Sequence, residues 1–427
     1  MEKKRLLLIT NYYPFYKGEE YIENEIDIAS KTFDEIIIVP TMKSLNMEQT
    51  RKVPDNVTVI GIATDCSIIG KIKLLLKGFL PLVKNKDLRG IMTNKEITLK
   101  QKVYSIYYMS RVWAVYRNII NNTFFKEKLA PSQNVFIYSY WLHVTASIAA
   151  RLKKYYFNQN VCSVARGHRY DLYDYAAPFK YVPDREFMLS HMDMVYPCSD
   201  DGTNYLVAQY PEYASSIKTQ RLGTMLHEPI KCERIPVFCL VSCAVVRPVK
   251  RLDKIINVVK ILTKKGYKVQ WTHLGGGPFY NEMVKEANAV LPEDTFHFAG
   301  QMTNEEVYNW YQNNSVSCFI NLSDSEGVPV SIMEAMGFGI PIVATGVGGS
   351  REIVEHNVNG VVISDHENET SIADKIERLI NMGDEDFHSL CLNSYKIWNE
   401  KCNAVSLYTH FYQELVNLYE KTDNRYQ

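Results

Sequence analysis

Short apolar runs alternate along this chain with longer stretches of helical periodicity, the signature of parallel strands joined by crossover helices. In the first half, Arg5–Thr10, Glu35–Val39, Val57–Ile62, Val135–Tyr140, Val161–Ala165 and Met194–Pro197 are the expected strands. A second series is expected at Val237–Val241, Lys268–Leu274, Thr295–Ala299, Ser317–Leu322, Ile340–Ala344 and Gly360–Ile363. Between two of these, Leu252, Ile255, Ile256 and Val259 follow the i, i+3, i+4, i+7 rule of an amphipathic helix. The tail carries Leu407, Tyr408, Phe411, Tyr412, Leu415, Leu418 and Tyr419 at helical spacing, so Val405 to Tyr419 is expected to pack on another element. The predicted fold class is α/β, built as two Rossmann-like lobes. Their junction is expected between Gly223 and Pro236, where Pro229 and Pro236 interrupt any regular pattern.

Length supports the division, because 427 residues exceed one ordinary domain and suit two lobes. Hydrophobic residues at 46% and charged residues at 22% supply ample material for cores and exclude disorder. Forty-eight basic residues balance forty-eight acidic ones, so no global field favours nucleic acid. Nine cysteines without a C-x-x-C pair read as buried thiols of a reduced compartment. Only four apolar residues, Leu6 to Ile9, follow the basic start, too few for a secretory core, and no run approaches the roughly 18 apolar residues that span a bilayer. The expected location is cytoplasmic, at the inner face of the cell membrane if the chain binds lipid. The stretch Ser67 to Val83 is amphipathic, interrupted by Gly70, Lys71, Lys73, Lys77, Gly78 and Pro81, and followed by Lys84, Lys86 and Arg89. Two readings of it stay open: a helix lying on an anionic membrane surface, or a lobe-capping helix with a solvated lysine face.

Chemistry concentrates in Asn321 to Val362, NLSDSEGVPVSIMEAMGFGIPIVATGVGGSREIVEHNVNGVV. A buried-looking strand ends near Leu322, and a polar loop passes through Glu326 and Gly327 into Val328-Pro329, where proline suits a first helical turn. A helix N-terminus just past a strand's carboxyl end is where open α/β sheets hold phosphates. Glu326 and Glu334 have seven residues between them, a helical rise of roughly 12 Å, enough to grip opposite ends of a nucleotide-sugar. Gly346, Gly348 and Gly349 after the next strand permit close backbone approach.

This segment resembles the retaining GT-B glycosyltransferases of family 4, whose signature is such a glutamate pair, and EGVPVSIMEAMGFGIPIVATGVGGSREIV is similar to the family pattern almost throughout. The resemblance implies that Glu326 contacts hydroxyls of the transferred sugar and Glu334 the ribose, with Gly327 and Val328 beside the donor. VSCAVVRPVKRLDKII is similar to the family's first strand and phosphate-binding turn of the second lobe. Lys250 there matches the lysine that neutralises the donor diphosphate. The arginine usually found five residues earlier is Val245, leaving Arg247 or Arg251 to supply that charge. His273 to Pro278 resembles the glycine turn bordering the nucleotide, with Gly276 on the donor side.

In the first lobe, Gly18 stands in Gly18-Glu19-Glu20, where the family often has paired glycines. Ala165-Arg166-Gly167-His168 resembles the active-site histidine region. His168 is the candidate for contact with sugar or acceptor; Arg166, Arg169 and Asp171 are candidates for orienting acceptor or donor, and His143, also at a strand end, is a further candidate. The resemblance further implies residues 1–228 as an acceptor-side lobe, 229–395 as a donor-side lobe, and 396–427 as a helix returning to the first lobe, with a hinge at the junction and reaction in the cleft between. The implied activity is a retaining, metal-independent hexosyl transfer from a UDP- or GDP-sugar to a glycan or lipid-linked acceptor of surface polysaccharide, without a cofactor. Two other readings are a nucleotide-sugar epimerase of the same fold and a non-catalytic binding partner, the latter favoured only by Val245.

Overall fold

The computed structural model describes residues 3–15, 18–19, 21–44, 46–62, 67–130, 135–157, 161–225 and 236–423. Glu20, Pro229 and most of the expected junction lie outside them. The chain forms two compact units, one of residues 1–220 with 406–427, the other of residues 221–405. The boundaries thus fall at 220/221 and 405/406, not at 228/229 and 395/396. The second shift has a physical reason: the helix Asp384–Lys401 packs on the helix Val330–Gly337 of the second unit, where the Trp398 indole N–H donates to Thr224 at 2.7 Å.

The first unit holds a parallel sheet of β1 (Arg5–Thr10), β2 (Glu35–Pro40), β3 (Val57–Val59), β4 (Val135–Ser139), β5 (Cys162–Gly167) and β6 (Met194–Pro197), in the order β3-β2-β1-β4-β5-β6. Leu6 to Ile9 are all buried, as befits a central strand covered on both faces. At the sheet edge the strand expected over Val57–Ile62 stops at Val59, although Ile60 and Ile62 remain buried. The second unit repeats the plan with β7 (Phe238–Cys243), β8 (Val269–Leu274), β9 (Phe296–Gly300), β10 (Cys318–Asn321), β11 (Ile342–Thr345) and β12 (Gly360–Ile363), in the order β12-β11-β10-β7-β8-β9. The helix Leu252–Lys264 buries the predicted stripe of Leu252, Ile255, Ile256 and Val259.

Both sheets reverse direction once, between β1 and β4 and between β7 and β10. Open α/β sheets bind ligands outside the carboxyl ends of strands at these reversals. The helix Ala404–Asp423 belongs from Ser406 onward to the first unit. It docks by Tyr408, Phe411, Tyr412 and Leu415, all buried; Phe411 meets Tyr138 and Tyr196 edge-on at 5.5 and 5.1 Å.

Candidate functional site

The second unit's site grows from the loops after β7 and β10, the two strands flanking its reversal. The Asp324 amide donates to the Val249 carbonyl at 2.9 Å and ties these loops together. That register brings the Lys250 ammonium within 2.6 Å of a Glu326 carboxylate oxygen, which also accepts from the Asn321 amide at 3.2 Å. Asn321, the last residue of β10, was missed by sequence reasoning; its position at a strand's carboxyl end was the available signal.

Glycines hold the surrounding backbone close. A Cβ on Gly348 would lie 2.0 Å from the Glu326 carbonyl oxygen, and its φ of +50° already suits glycine. The Gly349 amide donates to the Gly327 carbonyl at 2.9 Å, and the Val328 carbonyl accepts from Val330 where the helix Val330–Gly337 begins. Because that helix starts at Val330, Glu326 lies in the loop before it, and the helical rise used above does not span the glutamate pair. Gly276 is placed similarly: its carbonyl accepts from Val246 at 2.9 Å and fixes the turn after β7.

Glu334 lies within the helix, 8% exposed, accepting from the Tyr308 hydroxyl at 3.2 Å. Burial pushes its carboxyl up to about 7, and the Tyr308 hydrogen bond only partly offsets this. Tyr308, also missed from sequence, sits on the preceding helix Asn304–Asn313, where no motif marks it.

The two candidate arginines differ. Arg251 is engaged with Asp253 at 2.9 Å and Asp324 at 3.0 Å. Arg247 is exposed and has no side-chain partner among the described residues. Val245, beside it, is 48% exposed.

In the first unit, the ends of β1, β4 and β5 collect an aromatic and acidic cluster. Glu19, 5% exposed, accepts the backbone N–H groups of Asn11, Tyr12 and Tyr13 at 2.6 to 2.8 Å and the Trp141 indole N–H at 2.6 Å. It fixes the loop after β1; Gly18 precedes it with a φ of +100°. Trp141 packs on His168 at 4.4 Å and on Tyr170 at 5.0 Å. Sequence reasoning singled out neither Glu19 nor Trp141 for a role.

Asp171 is buried, accepting from the amides of Leu142 and His168, each at 2.7 Å. Its carboxylate lies 3.8 Å from the His168 Nδ1, an ion-pair separation rather than a hydrogen bond. Burial opposes a charge on His168, but Cys198 and Asp171 outweigh it and raise the imidazole to about 10. His143 is the opposite case. Burial lowers it to about 4, and its Nε2 meets the Tyr104 hydroxyl at 3.4 Å. Arg169 is exposed at the start of the short helix Arg169–Leu172.

Arg166 requires a correction. It is fully buried, paired with Glu25 at 2.8 Å, and Glu25 in turn accepts from the Tyr412 hydroxyl at 2.9 Å. Enclosed by Tyr138, Tyr140, Tyr408 and Phe411, it anchors the C-terminal helix from the interior of the unit.

Comparison with known proteins fits the second unit's site. Residues 237–396 match the family described as "Glycosyl transferases group 1". The chain is 28% identical over 144 residues to the amylovoran biosynthesis glycosyltransferase AmsK of Erwinia amylovora, covering 33% of each chain. It is 26% identical over 197 residues to the putative colanic acid biosynthesis glycosyltransferase WcaL of Salmonella typhimurium, covering 44% of this chain and 48% of that one. These alignments span a third to about half of the relatives' length. Among solved structures, Anabaena HepE in complex with UDP superposes with a TM-score of 0.64 at 15% identity, covering 97% of this chain and 100% of that one. That likeness is one of fold, two Rossmann-like units of the GT-B class.

Proposed function

We propose that this chain transfers a glycosyl group from a nucleoside-diphosphate sugar to a hydroxyl of a glycan or lipid-linked acceptor in surface-polysaccharide assembly. The observation that carries this reading is the Lys250–Glu326 pair at the reversal of the second sheet, its loop held close by Gly348, with Glu334 buried in the helix that follows. The matched family and the biosynthetic roles in the names of AmsK and WcaL support it. The UDP bound in HepE supports a nucleotide-linked donor.

In this reading Lys250 and Arg247 bear on the diphosphate, Glu326 accepts from sugar hydroxyls and Glu334 from the ribose. The Lys250–Glu326 ion pair keeps both charges satisfied until the donor arrives, when phosphate replaces the carboxylate as the lysine's partner. The acceptor oxygen bonds to the anomeric carbon on the face from which the diphosphate departs. The carbon–oxygen bond to phosphate breaks with its electron pair going to the diphosphate, and the acceptor's proton passes to the departing phosphate oxygen. Configuration is retained, and the charge forming on the diphosphate is stabilised by the two cations and the N-terminus of Val330–Gly337 without a metal ion. His168 and Arg169 are assigned to the acceptor side, with Asp171 positioning His168.

Product analysis tests the reading. Incubation with a donor and an acceptor glycan should yield a glycoside whose anomeric proton coupling matches the donor's configuration. An inverted product removes the retaining mechanism; a C2-epimerised free sugar without glycoside points to an epimerase.

A further inference from the structure

The helix Ile68–Lys84 has an unusual division of faces. Its inner face packs on the helix Leu99–Asn121 at Gly78, where a Cβ would stand 1.7 Å from the Ser110 carbonyl oxygen, and at Leu82, fully buried. The opposite face is apolar, not lysine-rich. At about 100° per residue, the row Ile68, Ile72, Phe79 and Val83 and the row Ile69, Leu76 and Leu80 share an arc of about 120°. Each is between 42% and 78% exposed. Lys73, Lys77 and Lys84 are exposed along one flank of this arc.

The patch continues beyond the helix. Met92, then Leu99, Val103 and Tyr107 one turn apart, are exposed on the two following helices, which contact the first. Eleven of the twenty exposed large apolar side chains among the described residues lie between 68 and 107, so the exposure is local. Residues 67–103 carry nine lysines and arginines against two acidic residues, in a chain whose net charge is zero. Apolar surface of this extent on a soluble face marks an interaction site. Two copies would bring two strongly basic faces together. A bilayer with anionic headgroups satisfies both features, taking the apolar arc at the acyl boundary while lysines reach up to phosphate. No described helix is long and apolar enough to cross a membrane.

We propose that residues 68–107 dock the first unit flat on an anionic phospholipid bilayer. This inference stands apart from the transferase reading. The test is flotation of the purified chain with phosphatidylcholine vesicles, with and without phosphatidylglycerol. The chain should float with the anionic vesicles, not with neutral ones, and binding should weaken as salt rises. Ile69→Asp with Leu76→Asp, both at exposed positions, should abolish flotation without lowering the melting temperature. Lys73→Ser, Lys84→Ser and Lys86→Ser together should weaken binding about 100-fold. Equal flotation with neutral vesicles, or none with anionic ones, overturns the proposal. So does a stable dimer in solution that the two aspartates dissociate, which would make the face an interface between copies.

Discussion

Glu334 concentrates the residue-scale argument. Its carboxyl is buried and raised to about 7, so the folded state holds its proton more tightly than the unfolded chain. The stability associated with that proton is fully present below the unfolded value and is lost as pH rises through about 7. Glu334→Gln should therefore match the wild type in urea denaturation at about pH 5 and exceed it at about pH 8.5 by on the order of 2–3 kcal/mol. An ionised carboxylate accepts ribose hydroxyls more strongly than a protonated one, so donor affinity measured by calorimetry should rise as pH passes up through about 7. Lys250→Ala should reduce kcat by about 100- to 1,000-fold in a donor-turnover assay. The two arginines should separate: Arg247→Ala lowers donor turnover, whereas Arg251→Ala, removing a half-exposed pair, costs about 1 kcal/mol or less and leaves turnover nearly intact. Sequence alone offered both, because spacing does not reveal that Asp253 and Asp324 already hold one of them. The glutamates and Lys250 were legible because a dense motif carried them. Asn321, Tyr308, Glu19 and Trp141 were not, since each enters its cluster by tertiary packing rather than by neighbours in sequence.

At the scale of elements, strand positions were readable because buried parallel strands are short unbroken apolar runs, such as Leu6 to Ile9 and Cys318 to Ile320. Boundaries shifted where local pattern competes with an edge, as at Val59. Helix orientation was less readable. The stretch Ser67 to Val83 left two readings open, a helix on an anionic membrane surface or a lobe-capping helix with a solvated lysine face, because spacing does not show that the close approach at Gly78 turns the apolar arc outward. The C-terminal helix shows how a chemically suggestive residue becomes structural. Arg166 next to His168 looked like part of a site, but the sequence gives no hint that Glu25 and Tyr412 close around it. Glu25→Ala leaves a buried guanidinium unpaired and should cost about 3–5 kcal/mol, while Tyr412→Phe should cost about 1 kcal/mol, both measured by chemical denaturation.

For the whole molecule, two sheets of one strand order each reverse once, and each reversal gathers polar side chains at its carboxyl end. Among the described residues, the Lys250–Glu326 pair among glycine turns belongs to the second, and the proposal therefore places the donor there. Occupancy at about 100 times Kd would stabilise the folded chain by about 2.7 kcal/mol, readable as a thermal shift. The most direct test is isothermal titration calorimetry of UDP- and GDP-sugars against the wild type, Glu334→Ala and Lys250→Ala. The account predicts that one donor series binds the wild type and that each substitution weakens binding by about 10- to 100-fold, the loss of a charge-assisted hydrogen bond. Failure of every nucleotide-sugar to bind, or equal binding by both variants, would contradict it.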